Sequence, residues 1–169
     1  MNITIRPAQK GDYLPVKNLM IQLQQHHVNL RPDVYKMSED FFTEETFDKL
    51  LAECNVLVAE ENSEIIGAVS YSIMDMKASI IHPFKSLWIS DLVIEENHRR
   101  QGIGSMLMDK IKQIAKENNV DRIQLNVSSY NTDAVKLYEK LGFSQIGRRP
   151  KYYRNPREDA LILRKEWEL

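Results

Sequence analysis

The segment Arg99-Arg100-Gln101-Gly102-Ile103-Gly104 combines two guanidinium charges with two glycines. Apolar residues then recur at Ile103, Leu107, Ile111, Ile114 and Ala115, the spacing of one helix face. A helix start leaves about four N–H groups without partners and carries roughly half a positive charge. With glycine allowing close backbone approach, this turn can hold a phosphate or a diphosphate. Two further residues have proton chemistry to offer. Asp91 stands in the apolar run Leu87–Ile94 (LWISDLVI), where a carboxylate is costly unless it is paired or functional. Tyr138 falls among Ala134, Val135 and Leu141 on one helical face, where a tyrosine either packs or holds a proton for a reaction.

The elements that position these residues can be read in order. Leu87–Ile94 has the length and composition of one buried strand, so the glycine turn joins a strand to a helix. Before it, Ile3 and Ile5 alternate with polar residues up to Pro7. Asp12 is placed to cap a helix carrying Tyr13, Val16, Met20, Leu23 and His27 on one face. His26 to Asp33 reads as a polar exit from that helix. A second helix is expected within Ser38 to Glu53, started by Thr43 and buried through Phe47, Leu50, Leu51 and Cys54. Asn55–Glu60 and Glu64–Ile73 flank the turn Asn62-Ser63 as a hairpin, and His82-Pro83 should end the strand or loop that follows. After the glycine-turn helix come a strand over Asp121–Val127, a helix capped by Asn131 and ended by Gly142, and a short strand from Phe143 to Gly147. Arg148–Asn155 (RRPKYYRN) is expected as a basic, aromatic loop before a last strand beginning at Asp159.

The glycine turn alone does not name its ligand. A dinucleotide fingerprint needs a third glycine where Leu107 stands, and no acidic residue ends the strand over 121–127. No G-x-x-x-x-G-K-[ST] occurs in the chain. An ordinary strand-to-helix turn with solvated arginines remains open at this point.

Two motifs together carry more. Arg99 to Gly104, preceded by an apolar strand, resembles the acyl-coenzyme-A signature of the GNAT superfamily of N-acetyltransferases. Asn131-Thr132-Asp133-Ala134-Val135-Lys136-Leu137-Tyr138-Glu139-Lys140-Leu141-Gly142-Phe143 resembles that superfamily's second hallmark, N-x-x-A-x-x-L-Y-x-x-x-G-F. The resemblance implies a single domain over residues 1–169 of α/β (α+β) class, a mixed twisted sheet of about seven strands flanked by four helices. It implies acetyl-CoA as cosubstrate and acetyl transfer to a primary amine by direct attack in a ternary complex. A non-catalytic acyl-CoA-binding module would share the same cradle.

Residue roles follow from the resemblance position by position. The backbone of Leu92, Val93 and Ile94 would hold the pantetheine arm and polarise the thioester. Arg99, Arg100, Gln101, Gly102, Ile103, Gly104 and Ser105 would wrap the diphosphate, and Asn131 would contact the arm. Tyr138 would protonate the departing thiolate. Asp91 would serve as base or amine anchor: Ser90-Asp91-Leu92 resembles the acidic E-D-x-x-V stretch of polyamine acetyltransferases, with Ser90 in place of the first acid. The tail from Arg148-Arg149 through Tyr152-Tyr153 to Glu158-Asp159-Ala160 resembles that of ribosomal-protein alanine acetyltransferases, which carry a glutamate base where this chain has Asn126. The connection after the first helix commonly lies over the acceptor site in this superfamily, so His26, His27, Arg31 and Tyr35 are expected to sense substrate.

Composition bounds the alternatives. The 169 residues are 43% hydrophobic and 28% charged, with a formal net charge of −1, so no global field favours nucleic acid. The basic group Arg148, Arg149, Lys151, Arg154 and Arg157 reads as a solvated loop near the acceptor cleft. One cysteine, Cys54, excludes an internal disulfide and reads as core. No His/Cys grouping has metal-ligand spacing, and no apolar run is of membrane-spanning length. A cytoplasmic enzyme with no metal and no membrane contact is expected; the resemblance also allows a homodimer.

Overall fold

The computed structural model describes residues 2–33, 35–38, 40–53, 55–78, 81–154 and 157–166. Its elements run β1 (Ile3–Pro7), α1 (Tyr13–Leu30), α2 (Glu44–Glu53), β2 (Asn55–Glu61), β3 (Glu64–Ala78), β4 (Ile81–Ile94), α3 (Ile103–Glu117), β5 (Arg122–Ser128), α4 (Thr132–Lys140), β6 (Ser144–Arg154) and β7 (Arg157–Glu166). The seven strands form one sheet in the order β1-β2-β3-β4-β5-β7-β6. All neighbours are antiparallel except β4 and β5, which are parallel and joined through α3. The expected mixed sheet with four helices is therefore present. Among the described residues, no helix is long and apolar enough to cross a membrane.

Two apolar clusters cover the sheet. The larger gathers Ile103, Leu107, Met108, Ile111 and Ala115 of α3 and Tyr138 of α4 over Leu87, Ile89, Ile123 and Leu125. The smaller gathers Val16 and Leu19 of α1 and Phe47 of α2 over Val58, Ala68 and Val93. Helices cover both faces, so the inner part of β4 is buried from each side, which is why Leu87–Ile94 reads as a nearly continuous apolar run, whereas β5 alternates buried and half-buried residues.

Membership of β4 residues in the two clusters changes midway. Leu87 and Ile89 belong to the α3 side, whereas Leu92 and Ile94 pack there later and Val93 belongs to the α1 side. The cause is a β-bulge. Ser70 pairs with Asp91 and Tyr71 with Ile89, so Ser90 is an extra residue in β4. One inserted residue moves every later side chain to the opposite face. Asp91, which simple alternation would place with Leu87 and Ile89 under α3, joins the phase of Val93 instead.

Several expected boundaries shift. α1 runs through His26 and His27 to Leu30, because the backbone hydrogen bonding continues until the Arg31 N–H donates to the His27 carbonyl. β4 begins at Ile81 and contains His82-Pro83, which were expected to end a strand. Proline is tolerated because β5 joins β4 only from Ser86 onward, so Pro83 lies on an unpaired edge. The basic stretch expected as a loop is the outer part of β6, paired with β7, with Arg148 Nη1 3.1 Å from Asp159 Oδ2. Thr43 does start α2, its hydroxyl oxygen accepting the Thr46 N–H at 3.2 Å. Cys54 lies outside the described residues.

Asp12 precedes α1 without capping it. Its carboxylate turns back to accept two hydrogen bonds from Arg6, at 2.8 and 3.0 Å, and one from the Gln9 N–H at 2.8 Å. Arg6 also donates to Glu60 at 2.6 Å, tying β1, β2 and the entry to α1 together. The Arg6 hydrogen bonds hold the Asp12 carboxyl below its ordinary range against the opposing effect of burial. Asp12→Asn should therefore cost about 1–3 kcal/mol at neutral pH, read by urea denaturation. The sign follows from the lowered folded-state pKa: the contribution is complete above about pH 4 and fades as pH falls through the folded value. The gap between wild type and variant should narrow toward pH 3.

Candidate active site

Pairing between β4 and β5 spans only Ser86↔Arg122 to Ile89↔Leu125. β4 nevertheless continues to Ile94 and β5 to Ser128, the latter still paired with β7 as far as Ser128↔Ala160. The two central strands thus part halfway along. Past that point each presents a backbone edge toward the other, an opening able to take an extended chain with amide groups. The bulge at Ser90 begins on the first residue beyond the last pair and turns the β4 edge as it opens.

A pocket of about 170 Å³ occupies this opening. Ser90 and Asp91 line it from β4 and Asn126 from β5. Tyr138 of α4, His27 in the last turn of α1 and Arg31 just beyond it complete the lining. Asp91 is held in place by Ser70: the Ser70 hydroxyl donates to Asp91 Oδ2 at 2.9 Å and accepts the Asp91 N–H at 3.1 Å. Ser70 is only 4% exposed, so the pair fixes the carboxylate from the strand behind it. Asn126 Oδ1 is buried and accepts no hydrogen bond among the described residues, although the residue lines the pocket.

Tyr138 is positioned by the end of its own helix. The Phe143 N–H donates to the Tyr138 carbonyl at 2.9 Å and the Gly142 N–H to the Glu139 carbonyl at 2.9 Å, with Gly142 at φ +85°. These are the two bonds of a Schellman cap, which requires a left-handed residue at the glycine position. Its accompanying apolar contact is the Tyr138–Phe143 ring pair, centroids 5.6 Å apart and nearly edge-on. Lys165 Nζ donates to the Leu141 carbonyl at 2.7 Å, and a Cβ on residue 142 would lie 2.6 Å from that nitrogen. The Y-x-x-x-G-F part of the second motif is thus a helix terminator that locks the tyrosine. Burial, followed by the charge of Asp91, pushes the Tyr138 phenol above its ordinary value, so it keeps its proton at neutral pH.

The glycine turn has the form expected of an anion cradle. Arg100 at φ +62° and Gly102 at φ +87° are both left-handed and curl the chain before α3. No side chain caps α3, so its first-turn amides at Ile103, Gly104 and Ser105 face outward from a dipole end. Ile103 and Leu107 are buried, which fixes the direction of that end. Arg99 Nε donates to the Ile94 carbonyl at 3.1 Å, linking the turn to the end of β4; Gln101 Nε2 donates to the Asn97 carbonyl. Gly67 of β3 allows the joint to close, since a Cβ there would lie 2.9 Å from Ile94 and 3.3 Å from the Val93 carbonyl.

A ligand with a diphosphate and an amide-bearing arm fits these features, the diphosphate on the α3 terminus and the arm along the parted edge of β4 beyond Ile89. Asn131 lines the pocket at the start of α4. Its Oδ1 caps α4 by accepting the Ala134 N–H at 3.2 Å, which leaves the amide nitrogen to donate into the pocket it lines. His27, Arg31 and Tyr35 line the pocket, as the position of the α1 exit suggested; His26 does not, but its ring neighbours that of His27 at 6.3 Å. Arg31, with a side chain 9% exposed, reaches Asp33 and lies 5.1 Å from the Tyr130 ring centroid. Sequence reasoning missed Ser70, which lies in an ordinary strand, and noted Asn126 only as the residue standing where similar enzymes carry a glutamate base.

Comparison with known proteins gives a consistent result. Residues 22–143 match the model of the acetyltransferase (GNAT) family. N-alpha-acetyltransferase 30 from Xenopus laevis is 34% identical over 107 residues, 63% of this chain and 37% of that protein. The chain therefore spans little more than a third of the length of that relative. The [ribosomal protein bS18]-alanine N-acetyltransferase of Escherichia coli K12 is 24% identical over 140 residues, 82% of this chain and 86% of that one. Among solved structures, a GNAT family acetyltransferase from Elizabethkingia anophelis with acetyl-CoA bound superposes with a TM-score of 0.71 at 22% identity, covering 98% of this chain and 99% of that one.

The curled turn can be tested through Gly102. A Cβ there would touch nothing within 4 Å, so Gly102→Ala isolates the left-handed φ. It should lower unfolding stability by about 1–2 kcal/mol in urea denaturation and weaken CoA binding by calorimetry.

Proposed function

The chain belongs to the acetyltransferase (GNAT) family, and from that premise we propose that it transfers an acetyl group from acetyl-CoA to a primary amine while both are bound. The observation that carries this reading is the parting of β4 and β5 beside the uncapped start of α3. When bound, acetyl-CoA supplies an electrophilic thioester carbon and a thiolate leaving group. The chain supplies the rest. The amides of Gly102 to Ser105, with Arg99 and Arg100, hold the diphosphate. The β4 backbone at Leu92, Val93 and Ile94 and the Asn131 amide nitrogen hold the arm.

The amine must be neutral to attack. A lysine-like amine near pH 7.4 is only ~0.1% neutral, a penalty of roughly 4 kcal/mol, and a peptide α-amine with a pKa of about 7.7–8.0 is roughly a quarter neutral, so either is mostly an ammonium that must be deprotonated before attack. Asp91 anchors that ammonium: it is a carboxylate fixed by Ser70 and lining the pocket. Tyr138 holds a proton for the departing sulfur. Aligning amine and thioester in one cleft contributes further, up to ~7–11 kcal/mol in well-oriented systems. The acceptor class favoured here is the α-amine of a polypeptide. Two relatives support this, one named for N-alpha acetylation and one for acetylation of a ribosomal-protein alanine.

CoA release should be followed with a short peptide bearing a free α-amine, a polyamine, a free amino acid and an aminoglycoside. The expected outcome is fastest release with the peptide; release with none of them would leave an acyl-CoA-binding module without turnover. Tyr138→Phe should reduce kcat at least tenfold (general acids contribute about 10²–10⁴-fold) with the unfolding midpoint nearly unchanged. A kcat close to wild type would remove Tyr138 from the chemistry.

A further inference from the structure

We infer that His27 is the group that takes the proton from the acceptor ammonium, beside Asp91, which holds that ammonium; the inference rests on the acetyltransferase reading above. His27 lines the pocket together with Asp91, Asn126 and Tyr138. Its ring faces Tyr35 with centroids 5.1 Å apart and a 31° tilt, a contact that restrains the imidazole plane at the cleft wall. It stands in the last turn of α1, opposite the bulge that turns Asp91 out of the α3 phase.

The charged and titratable groups around His27 are His26 of α1, Arg31 and Tyr35 beyond it, Asp91 of β4 and Tyr138 of α4. Burial, and then His26, hold the imidazole below its ordinary value, while Asp91 draws it back up. The ring is therefore neutral near pH 7, and Asp91 stabilises the imidazolium once a proton arrives. The same carboxylate discourages ionisation of Tyr138. One negative charge thus favours a proton on both the imidazole and the phenol, so the group that holds the ammonium also stabilises the imidazolium formed when the ammonium is deprotonated. An imidazole is a far stronger base than a carboxylate, so the ring, rather than the anchoring acid, is suited to receive it.

The protons balance. Of the three on the ammonium, His27 takes one and passes it to solvent. The freed lone pair forms the C–N bond as the C–S bond breaks. Tyr138 gives its proton to the departing sulfur and is restored by the second proton, from the newly bonded nitrogen. The third stays on the amide. One proton is released per turnover.

The test uses the full chain with the free-α-amine peptide as acceptor. His27→Gln should lower kcat/KM at least tenfold and abolish the limb of the pH profile below pH 6.5, while the limb from the peptide amine near pH 8 persists. Imidazole in the buffer should restore part of the activity of His27→Ala, which a packing role would not allow. Asp91→Asn separates the two candidate bases. It removes the charge that raises His27, so the low-pH limb should move to lower pH rather than vanish. Independently of turnover, the His27 ring resonances should titrate below 6.5 in the wild type and lower still in Asp91→Asn. Retention of the low-pH limb in His27→Gln, its disappearance in Asp91→Asn, or a His27 titration indifferent to Asp91 would overturn the assignment. Absence of turnover in the wild type with every amine would instead overturn the reading beneath it, while the His27 titration would still report the coupling.

Discussion

Hydrogen bonding between β4 and β5 ends at Ile89 and Leu125, although both strands continue. Interior strands with open edges are costly, since each unpartnered backbone group out of water loses a hydrogen bond's worth of free energy. The sheet maintains the separation by satisfying each strand from its far side. β3 pairs with β4 to the end at Gly67↔Ile94, and β7 pairs with β5 to Ser128↔Ala160. The helices do the rest. α3 and α4 pack into one apolar cluster with these strands; the curled glycine turn of α3 is tied to the end of β4 by the Arg99–Ile94 hydrogen bond, and Asn131 at the start of α4 lines the opening.

The bulge at Ser90 and the Schellman cap at Gly142 convert that opening into a site. Each is a local backbone device with one consequence. The bulge reverses the facing of β4, so Asp91 sits against Ser70 and the α1 side instead of inside the α3 cluster. The cap ends α4 at the turn that carries Tyr138 and packs Phe143 against the ring. Asp91 then acts electrostatically on both the phenol and the His27 imidazole. The proposed acid, anchor and base come from three separate elements, α4, β4 and α1, whose relative placement is set by the two apolar clusters on opposite faces of the sheet.

Much of this was readable in the chain, and the reasons it was or was not are physical. Helical and strand periodicity located most of the regular elements among the described residues, because those elements bury a face of their own; β6, exposed over Ser144 to Ile146, is legible only as far as Gly147. The glycine turn and the asparagine-to-phenylalanine motif were legible because they encode local geometry: a left-handed Gly102, a side-chain cap at Asn131 and a left-handed Gly142. What could not be read depends on tertiary pairing. Asp12 has the type and place of a helix cap, but Arg6, six residues earlier, competes for it with two hydrogen bonds. Nothing in LWISDLVI marks Ser90 as the bulged residue, which requires the β3 register. The stretch RRPKYYRN is polar and contains proline, yet it extends β6 because β7 lies beside it. Ser70 gains its importance only from its bonds to Asp91 across the β3–β4 register, and Asn126 only from lining the gap.

The central claim is that the parted edge of β4 and the uncapped start of α3 form one continuous binding surface. Backbone amide shifts measured by NMR during titration with CoA test it most directly. The account predicts large, saturable shifts along Ser90 to Ile94 and Gly102 to Ser105 together, with the paired stretch Ser86 to Ile89 little affected. Shifts confined to the α3 turn, or absent from both segments in folded protein, would contradict it.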